Sequence, residues 1–267
     1  MTEPRYMRIF LRVVSLLVLG FIYVPLIVLA IYAFNSSRIQ VWPPVGLTLD
    51  WFFEAARNPA VIKAVGNSLL AATTATTLAL VLGTLAALAV QRYDFFGRQT
   101  ISFFLVLPIA LPGVITGIAL RTTFTTFGVD LGLLTIIVGH ATFCVVVVYN
   151  NVIARLRRLP RSPEEASADL GADAFTTFRR VTLPGVLTAL LSGGLLAFGL
   201  SFDEIIVTIF TAGAGTQTVP MWIYGAIQRP NDLPVVNVVA LVLIIISIVP
   251  VYLAQRLASD VTTGTGL

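Results

Sequence analysis

Long uncharged apolar segments alternate with short polar segments along the chain, and this pattern predicts a helical membrane protein. The apolar segments are Val13–Phe34, Ala64–Val90, Thr100–Leu120, Leu131–Ala154, Val186–Phe210 and Val235–Gln255. Each is long enough for a helix that crosses about 30 Å of hydrocarbon. Asp203 and Glu204, in the fifth segment, are the only charges within them. Because an open sheet leaves backbone groups unpaired in lipid, we predict an all-α membrane protein with six transmembrane helices.

The composition agrees with a lipid environment. The 267 residues are 57% hydrophobic and only 11% charged, whereas a soluble domain has roughly 25% charged residues. The single cysteine, Cys144, lies within an apolar segment, which excludes a disulfide framework and a cysteine metal site. We therefore expect no metal and no cofactor on this chain.

The basic residues predict the orientation. Residues 1–12 are basic and precede 22 uncharged residues with no A-x-A-like cleavage site, so we read the first span as uncleaved. If the N-terminus is cytoplasmic, twelve of the 17 Lys and Arg residues are cytoplasmic and five are outside. This bias favours a cytoplasmic N-terminus (1–12), a six-helix transmembrane domain (13–256) that includes the cytoplasmic loop 155–183, and a cytoplasmic tail (257–267).

The third segment is rich in helix-breaking residues. It contains LPIALPGVITGIAL, with Pro108 and Pro112, and proline within a helix leaves a carbonyl unpaired. We predict a bent helix. The sequence leaves open whether the bend lines a pore or improves packing.

The cytoplasmic segment 155–183 predicts two short capped helices. Ser162 is the predicted N-cap, Pro163 follows it, and Glu165 would complete a capping box. Gly171 is suited to a left-handed C-terminal cap. Asp173 is the predicted N-cap of a second helix that carries Phe175 and Phe178. Short helices with an aromatic edge indicate a docking element.

This segment resembles the EAA loop of ABC importer permeases. The residues that carry the resemblance are Glu165, Ala166, Ser167, Gly171, Ala172, Phe178, Leu183 and Pro184. Ser167 stands where the family usually has alanine. The segment GNSLLAATTATTLALVLGTLAALAV in the second span adds to the likeness, which extends over most of the chain.

The resemblance implies a type I ABC importer permease fold (MetI-like) in a bacterial inner membrane. It also implies an ABC ATPase dimer that binds ATP and Mg, a second homologous permease and an extracytoplasmic solute-binding protein. The residues expected to couple to the ATPase are Glu165, Ala166, Gly171, Ala172, Phe175 and Phe178. No GxxxxGK[ST] phosphate loop occurs in the sequence, so this chain is not itself the ATPase.

Asp203 and Glu204 are costly to place within a membrane helix, and such acids commonly mark a cation path or an ion pair. One hypothesis is that they attract a positively charged substrate. The other is a structural ion pair with Arg121 or Arg229.

Aromatic residues follow this acidic pair. Trp222 and Tyr224 would either attract an alkylammonium group by cation–π contact or mark the membrane interface. SFDEIIVTIF and PPVGLTLDWF resemble the spermidine/putrescine group of permeases, in particular the PotC type. This likeness implies polyamines as the substrate, although permeases for iron, thiamine and phosphonates share part of the pattern.

His140 and Cys144 are four residues apart on the fourth span and would share one face of the helix. Two such side chains do not make a metal site, and we predict a packed, hydrogen-bonded histidine instead.

Two rival functions for a protein of this composition are an ion-coupled secondary transporter, with Asp203 and Glu204 as the coupling site, and a channel. Neither would need the capped, aromatic docking loop, which therefore favours the ATP-driven importer.

Overall fold

The computed structural model describes residues 5–262 and the side chains of residues 5–256. Its α-helices are α1 (Arg5–Ala33), α2 (Asp50–Arg57), α3 (Pro59–Arg92), α4 (Arg98–Ala110), α5 (Gly113–Thr126), α6 (Leu133–Leu156), α7 (Ser162–Asp169), α8 (Ala174–Thr177), α9 (Leu183–Phe202), α10 (Ile206–Thr211), α11 (Val219–Ala226) and α12 (Leu233–Thr262). No strand occurs in this range, where the one extended pairing is an isolated bridge between Asn35 and Leu47. The all-α prediction is confirmed.

Five helical segments are long and apolar enough to cross a membrane. They are Arg5–Ala33, Pro59–Arg92, Leu133–Leu156, Ala174–Phe202 and Pro230–Arg256. The described residues contain a sixth if the pair of α4 and α5, which bend by 106° at their junction, is counted as one span. Part of the predicted tail (257–267) continues α12 as far as Thr262, and the remainder lies outside the described residues. The first four residues of the predicted N-terminal segment (1–12) also lie outside them.

The third span is interrupted, not merely bent. Leu111 is extended (φ −81°, ψ 142°) and Pro112 precedes the first residue of α5. A residue before proline is driven away from the helical region, and Pro112 offers no N–H to continue α4. The predicted bend is therefore a complete break.

The fifth span is also interrupted, which the hydrophobic pattern did not indicate. α9 ends at Phe202 and α10 begins at Ile206. Asp203 and Glu204 therefore do not lie within a continuous helix, and the expectation of a single helix over Val186–Phe210 is wrong.

The chain separates into two compact units. One comprises the described part of Met1–Ile62 together with Ile223–Ile244. In this unit the indole N–H of Trp51 donates to the carbonyl of Asn35 at 2.8 Å, which fixes α2 against the preceding loop. Almost every side chain of α1 is exposed, as suits a helix that faces lipid or another subunit.

The other unit comprises Lys63–Trp222 and the described part of Ile245–Leu267. Its centre is α6, whose buried side chains include Tyr149 and Leu156. α6 and α9 approach closely, because a Cβ at Gly193 would lie only 3.2 Å from that of Asn151. The phenol of Tyr149 also bonds Ser102 of α4 at 2.7 Å. These contacts hold the interrupted spans around α6.

Candidate functional site

The first short helix of the cytoplasmic loop, α7, ends in a complete Schellman motif. Gly171 has φ +82°. Its N–H donates to the carbonyl of Ala168 at 2.9 Å, and the N–H of Ala172 donates to that of Ser167 at 3.1 Å. These are the two bonds that define the motif, and the predicted left-handed conformation of Gly171 is confirmed.

The predicted capping box at the start of α7 is wrong. Ser162 is the first helical residue, and Arg161 precedes the helix with φ −80° and ψ −19° and no side-chain cap bond. A side-chain cap needs a residue in the β region, whereas here the turn is already helical before Ser162. The N–H of Glu165 donates to the carbonyl of Arg161 at 3.0 Å. The Glu165 side chain, like that of Ala166, is exposed.

The second short helix, α8, has the predicted cap. The carboxylate of Asp173 accepts from the N–H of Thr176 at 2.8 Å. This hydrogen bonding, from side chain and backbone of Thr176, lowers the pKa of Asp173 below its ordinary value. Phe175 is 68% exposed, while Phe178 and Ala172 are half-buried. The exposed ring of Phe175 thus gives the loop an aromatic surface.

Ser167 links the two short helices. Its hydroxyl lies 3.0 Å from that of Thr177, a contact that alanine at this position would lack. The departure from the usual EAA pattern therefore adds a bond within the loop.

Glu164 makes long-range contacts that were not predicted from the sequence. Its Oε2 lies 2.9 Å from Nε of Arg92, and its Oε1 accepts from Nη2 of Arg92 at 3.1 Å. Thr182 donates to the same Oε1 at 2.9 Å. Arg92 ends α3, so this acid fastens the loop to a span 72 residues away. Nothing in the local sequence distinguishes Glu164 from Glu165.

The interruption of the fifth span separates the roles of the two acids. Oε1 of Glu204 accepts from the N–H of Val207 at 2.9 Å, so this side chain caps the start of α10. Asp203 directly follows α9, its N–H donating to the carbonyl of Gly199 at 3.3 Å. The Asp203 side chain is exposed. Asp203 is thus the more accessible of the two carboxylates.

The hypothesis of an ion pair with Arg121 is not supported within residues 5–256. The ion pairs found there do not include Asp203 or Glu204, and Nε of Arg229 lies 3.0 Å from Asp232.

A buried polar network supports the interruption. His140 of α6 is 1% exposed. Its Nδ1 lies 2.8 Å from the hydroxyl of Ser201, and its Nε2 lies 2.8 Å from the hydroxyl of Thr208. Because Thr208 donates its proton to the carbonyl of Glu204 at 2.9 Å, it accepts from Nε2–H. Ser201 must then donate to Nδ1. The predicted hydrogen-bonded histidine is confirmed.

The two interrupted spans meet each other. A Cβ at Gly117 of α5 would lie 2.5 Å from the ring of Phe210 in α10, and one at Gly113 would lie 3.2 Å from Ile206. The close approach of α5 and α10 therefore requires a residue without a Cβ at position 117. Discontinuous helices that meet at membrane depth are a common setting for transport sites.

The predicted aromatic residues differ in their accessibility. Trp222 is 5% exposed, whereas Tyr224 is 57% exposed. The face of Trp222 is therefore closed to a cation in this conformation, and that of Tyr224 is open. Among residues 5–256 no group of three or more His, Cys, Asp or Glu side chains could hold a metal ion.

Residues 79–263 match the family described as "Binding-protein-dependent transport system inner membrane component". The chain is 38% identical to the putrescine transport system permease protein PotI of Escherichia coli (strain K12), over 91% of this chain and 90% of the relative. It is 33% identical to the spermidine/putrescine permease PotC of the same strain, over 92% of each.

Solved structures share the fold. A bacterial ABC transporter that imports the acidic polysaccharide alginate matches with TM-score 0.74 at 18% identity, covering 96% of this chain and 99% of the other. The MetNI methionine ABC transporter matches with TM-score 0.60 at 18% identity, covering 80% and 99%. The predicted type I importer fold is confirmed. This chain therefore belongs to the family of inner membrane components of binding-protein-dependent transport systems, as a multi-pass permease subunit of an ABC importer and not an enzyme.

Proposed function

We propose that this permease subunit imports polyamines such as putrescine and spermidine, and that Asp203 is the carboxylate which meets them in the transport path. The observation that carries the proposal is the interruption between α9 and α10, where the exposed Asp203 follows the end of a helix. The names of PotI and PotC, the relatives aligned over more than nine-tenths of the chain, support the substrate class.

The electrostatics of the interruption favour a cation. The C-terminal end of a helix presents unpaired carbonyls with a partial negative charge of about half an electron. At the end of α9 this charge adds to the carboxylate of Asp203. Half-helix C-termini and unwound carbonyls coordinate cations in membrane transporters. An alkylammonium group would bind here, and an anion would be repelled.

The orientation that we propose puts this site toward the outside. Both chain ends are cytoplasmic by the arginine and lysine bias, so α9 begins beside the cytoplasmic loop. Its 20 residues extend about 30 Å, and Asp203 then lies in the outer part of the membrane. A cation released by an extracytoplasmic binding protein would meet it early in the path.

The cytoplasmic loop is proposed to bind an ATPase subunit. Glu165 and Ala166 are exposed on α7, and Leu170 and Phe175 are 89% and 68% exposed beyond it. Since these side chains project from a loop fixed by caps at both short helices, they form a rigid docking surface. ATP and Mg would bind to a dimer of that partner, and its closure would drive alternating access together with a second permease subunit.

A second substrate class has one observation in its favour. The chain is 29% identical to a putative 2-aminoethylphosphonate permease protein, PhnV, of Salmonella paratyphi A, over 82% of this chain and 83% of the relative. Such a solute carries an ammonium group together with an anionic group. The free carboxylate of Asp203 favours a substrate without the anion.

Uptake by cells tests the proposal. The chain is expressed with its partner subunits in bacteria that lack their own polyamine importers, and labelled putrescine, spermidine and 2-aminoethylphosphonate are supplied separately. We expect ATP-dependent uptake of a polyamine and none of the phosphonate. Uptake of the phosphonate alone would contradict the polyamine proposal, and uptake that persists without ATP would contradict the importer mechanism.

A further inference from the structure

A mostly buried ion pair joins the docking loop to the membrane spans. Nε and Nη2 of Arg92 contact the two carboxylate oxygens of Glu164 at 2.9 and 3.1 Å. The side chains are only 11% and 20% exposed. Nη2 donates a hydrogen bond to Oε1, whereas Nε lies close to Oε2 without forming a hydrogen bond, so one charge-assisted hydrogen bond and the attraction of the two charges tie α7 to the end of α3.

The same carboxylate reaches a second span. Thr182 is buried and donates to Oε1 of Glu164 at 2.9 Å. It ends a π-helical turn, Phe178–Thr182, that runs directly into α9. A further link joins the loop to α3, since Arg161 donates to the carbonyl of Gln91 at 2.9 Å. Glu164 is therefore the point where α7, α3 and the start of α9 meet.

Adjacent acids on α7 face different partners. Successive residues on a helix are about 100° apart, and Glu164 turns inward while Glu165 remains exposed. The exposed side of α7 belongs to the proposed docking surface, and the other side is fixed to the spans. A displacement of the docking surface would consequently reach α3 and α9 through Glu164.

We propose that Arg92 is a positioning residue for ATP coupling: it holds Glu164 so that movement of α7 is transmitted to α3 and to α9. This inference rests on the proposed docking of an ATPase to α7. This role requires no contact of Arg92 with the substrate or with ATP. It acts by keeping the loop and the spans in one rigid junction.

The test uses the complete importer in proteoliposomes with its binding protein. Glu164→Gln keeps an acceptor for Thr182 and nearly the same shape, but removes the charge that pairs with Arg92. We expect stimulation of ATP hydrolysis by the loaded binding protein to fall at least fivefold, with basal hydrolysis and complex yield preserved. Asp94→Asn is the matched control, because this exposed acid lies outside α7 and pairs with Arg98 four residues on, and it should retain stimulation.

A double-mutant cycle tests whether Arg92 and Glu164 act as a pair, and complex yield separates transmission from simple stability. If Arg92 acts through Glu164, Arg92→Gln combined with Glu164→Gln should lose no more stimulation than either single change. Additive losses, normal stimulation in Glu164→Gln, or a loss of complex yield with normal stimulation per complex would each overturn the inference. Absence of stimulation in the unaltered importer would instead contradict the proposed function, and with it this inference.

Discussion

Nε2 of His140 and the hydroxyl of Thr208 lie 2.8 Å apart in the interior of the protein, joining the middle of α6 to α10. The hydroxyl also donates to the carbonyl of Glu204, so one side chain connects the histidine to the interrupted segment. The interruption after Phe202 is thus built from contacts between residues more than 60 positions apart.

Thr208→Val should destabilise this junction. Valine has nearly the shape of threonine but cannot accept from Nε2–H, and a buried donor left without a partner costs about 1–3 kcal/mol. Thr211→Val is the matched control, since Thr211 is equally buried and donates only to the carbonyl of Val207 in its own helix. We expect the thermal unfolding midpoint of the purified chain to fall more in Thr208→Val. Equal midpoints would contradict the role assigned to His140.

Gly171→Val should uncouple the docking loop while the spans still insert. A β-branched residue is disfavoured at φ +82°, and the left-handed conformation costs about 1–2 kcal/mol for a residue with a Cβ. Open space surrounds the position, so the effect must come from the backbone alone. Stimulated ATP hydrolysis by the assembled importer should fall.

Gly171→Asn provides the control for that prediction. Asparagine adopts the left-handed region more readily than valine, and it should retain most of the stimulation. If valine and asparagine behave alike, the cap geometry of α7 is not part of coupling.

Arg158 and Gln217 should lie on opposite sides of the membrane. Both are exposed. The single cysteine, Cys144, is buried, and its replacement by serine gives a chain without a thiol for the reagent to label. In intact cells a membrane-impermeant thiol reagent should label Gln217→Cys and not Arg158→Cys. Labelling of both positions from outside would defeat the proposed topology.

Local features of the loop could be predicted from the sequence because their partners are close by. Gly171 closes bonds to residues within five positions, and Asp173 caps an amide three residues on. The prediction of a capping box was wrong because the backbone at Arg161 is already helical. Ser162 therefore lies inside the helix and cannot act as its cap. The six apolar segments were visible because lipid tolerates few charges.

The long-range features could not be predicted in this way. Arg92 and Glu164 are 72 residues apart, and no local pattern around either residue indicates its partner. The end of α9 has no proline or glycine at positions 203–205. Its helix stops where the Glu204 carboxylate accepts from the N–H of Val207 and where Thr208, bonded to His140 of α6, donates to the Glu204 carbonyl. The hydrophobic pattern alone therefore predicted one helix that continues through Asp203.

Neutralising Asp203 tests the central claim most directly. Asp203→Asn keeps the shape of the side chain and removes the charge proposed to meet the polyamine, and charged hydrogen bonds contribute about 1.5–3 kcal/mol, a factor of roughly 10 to 100 in affinity. Glu204→Gln is the comparison, since its amide oxygen can still accept from Val207. We predict that polyamine uptake per assembled complex falls at least tenfold in Asp203→Asn, by a rise in the half-saturating concentration, and much less in Glu204→Gln. Unchanged uptake at normal complex yield in Asp203→Asn would contradict the account.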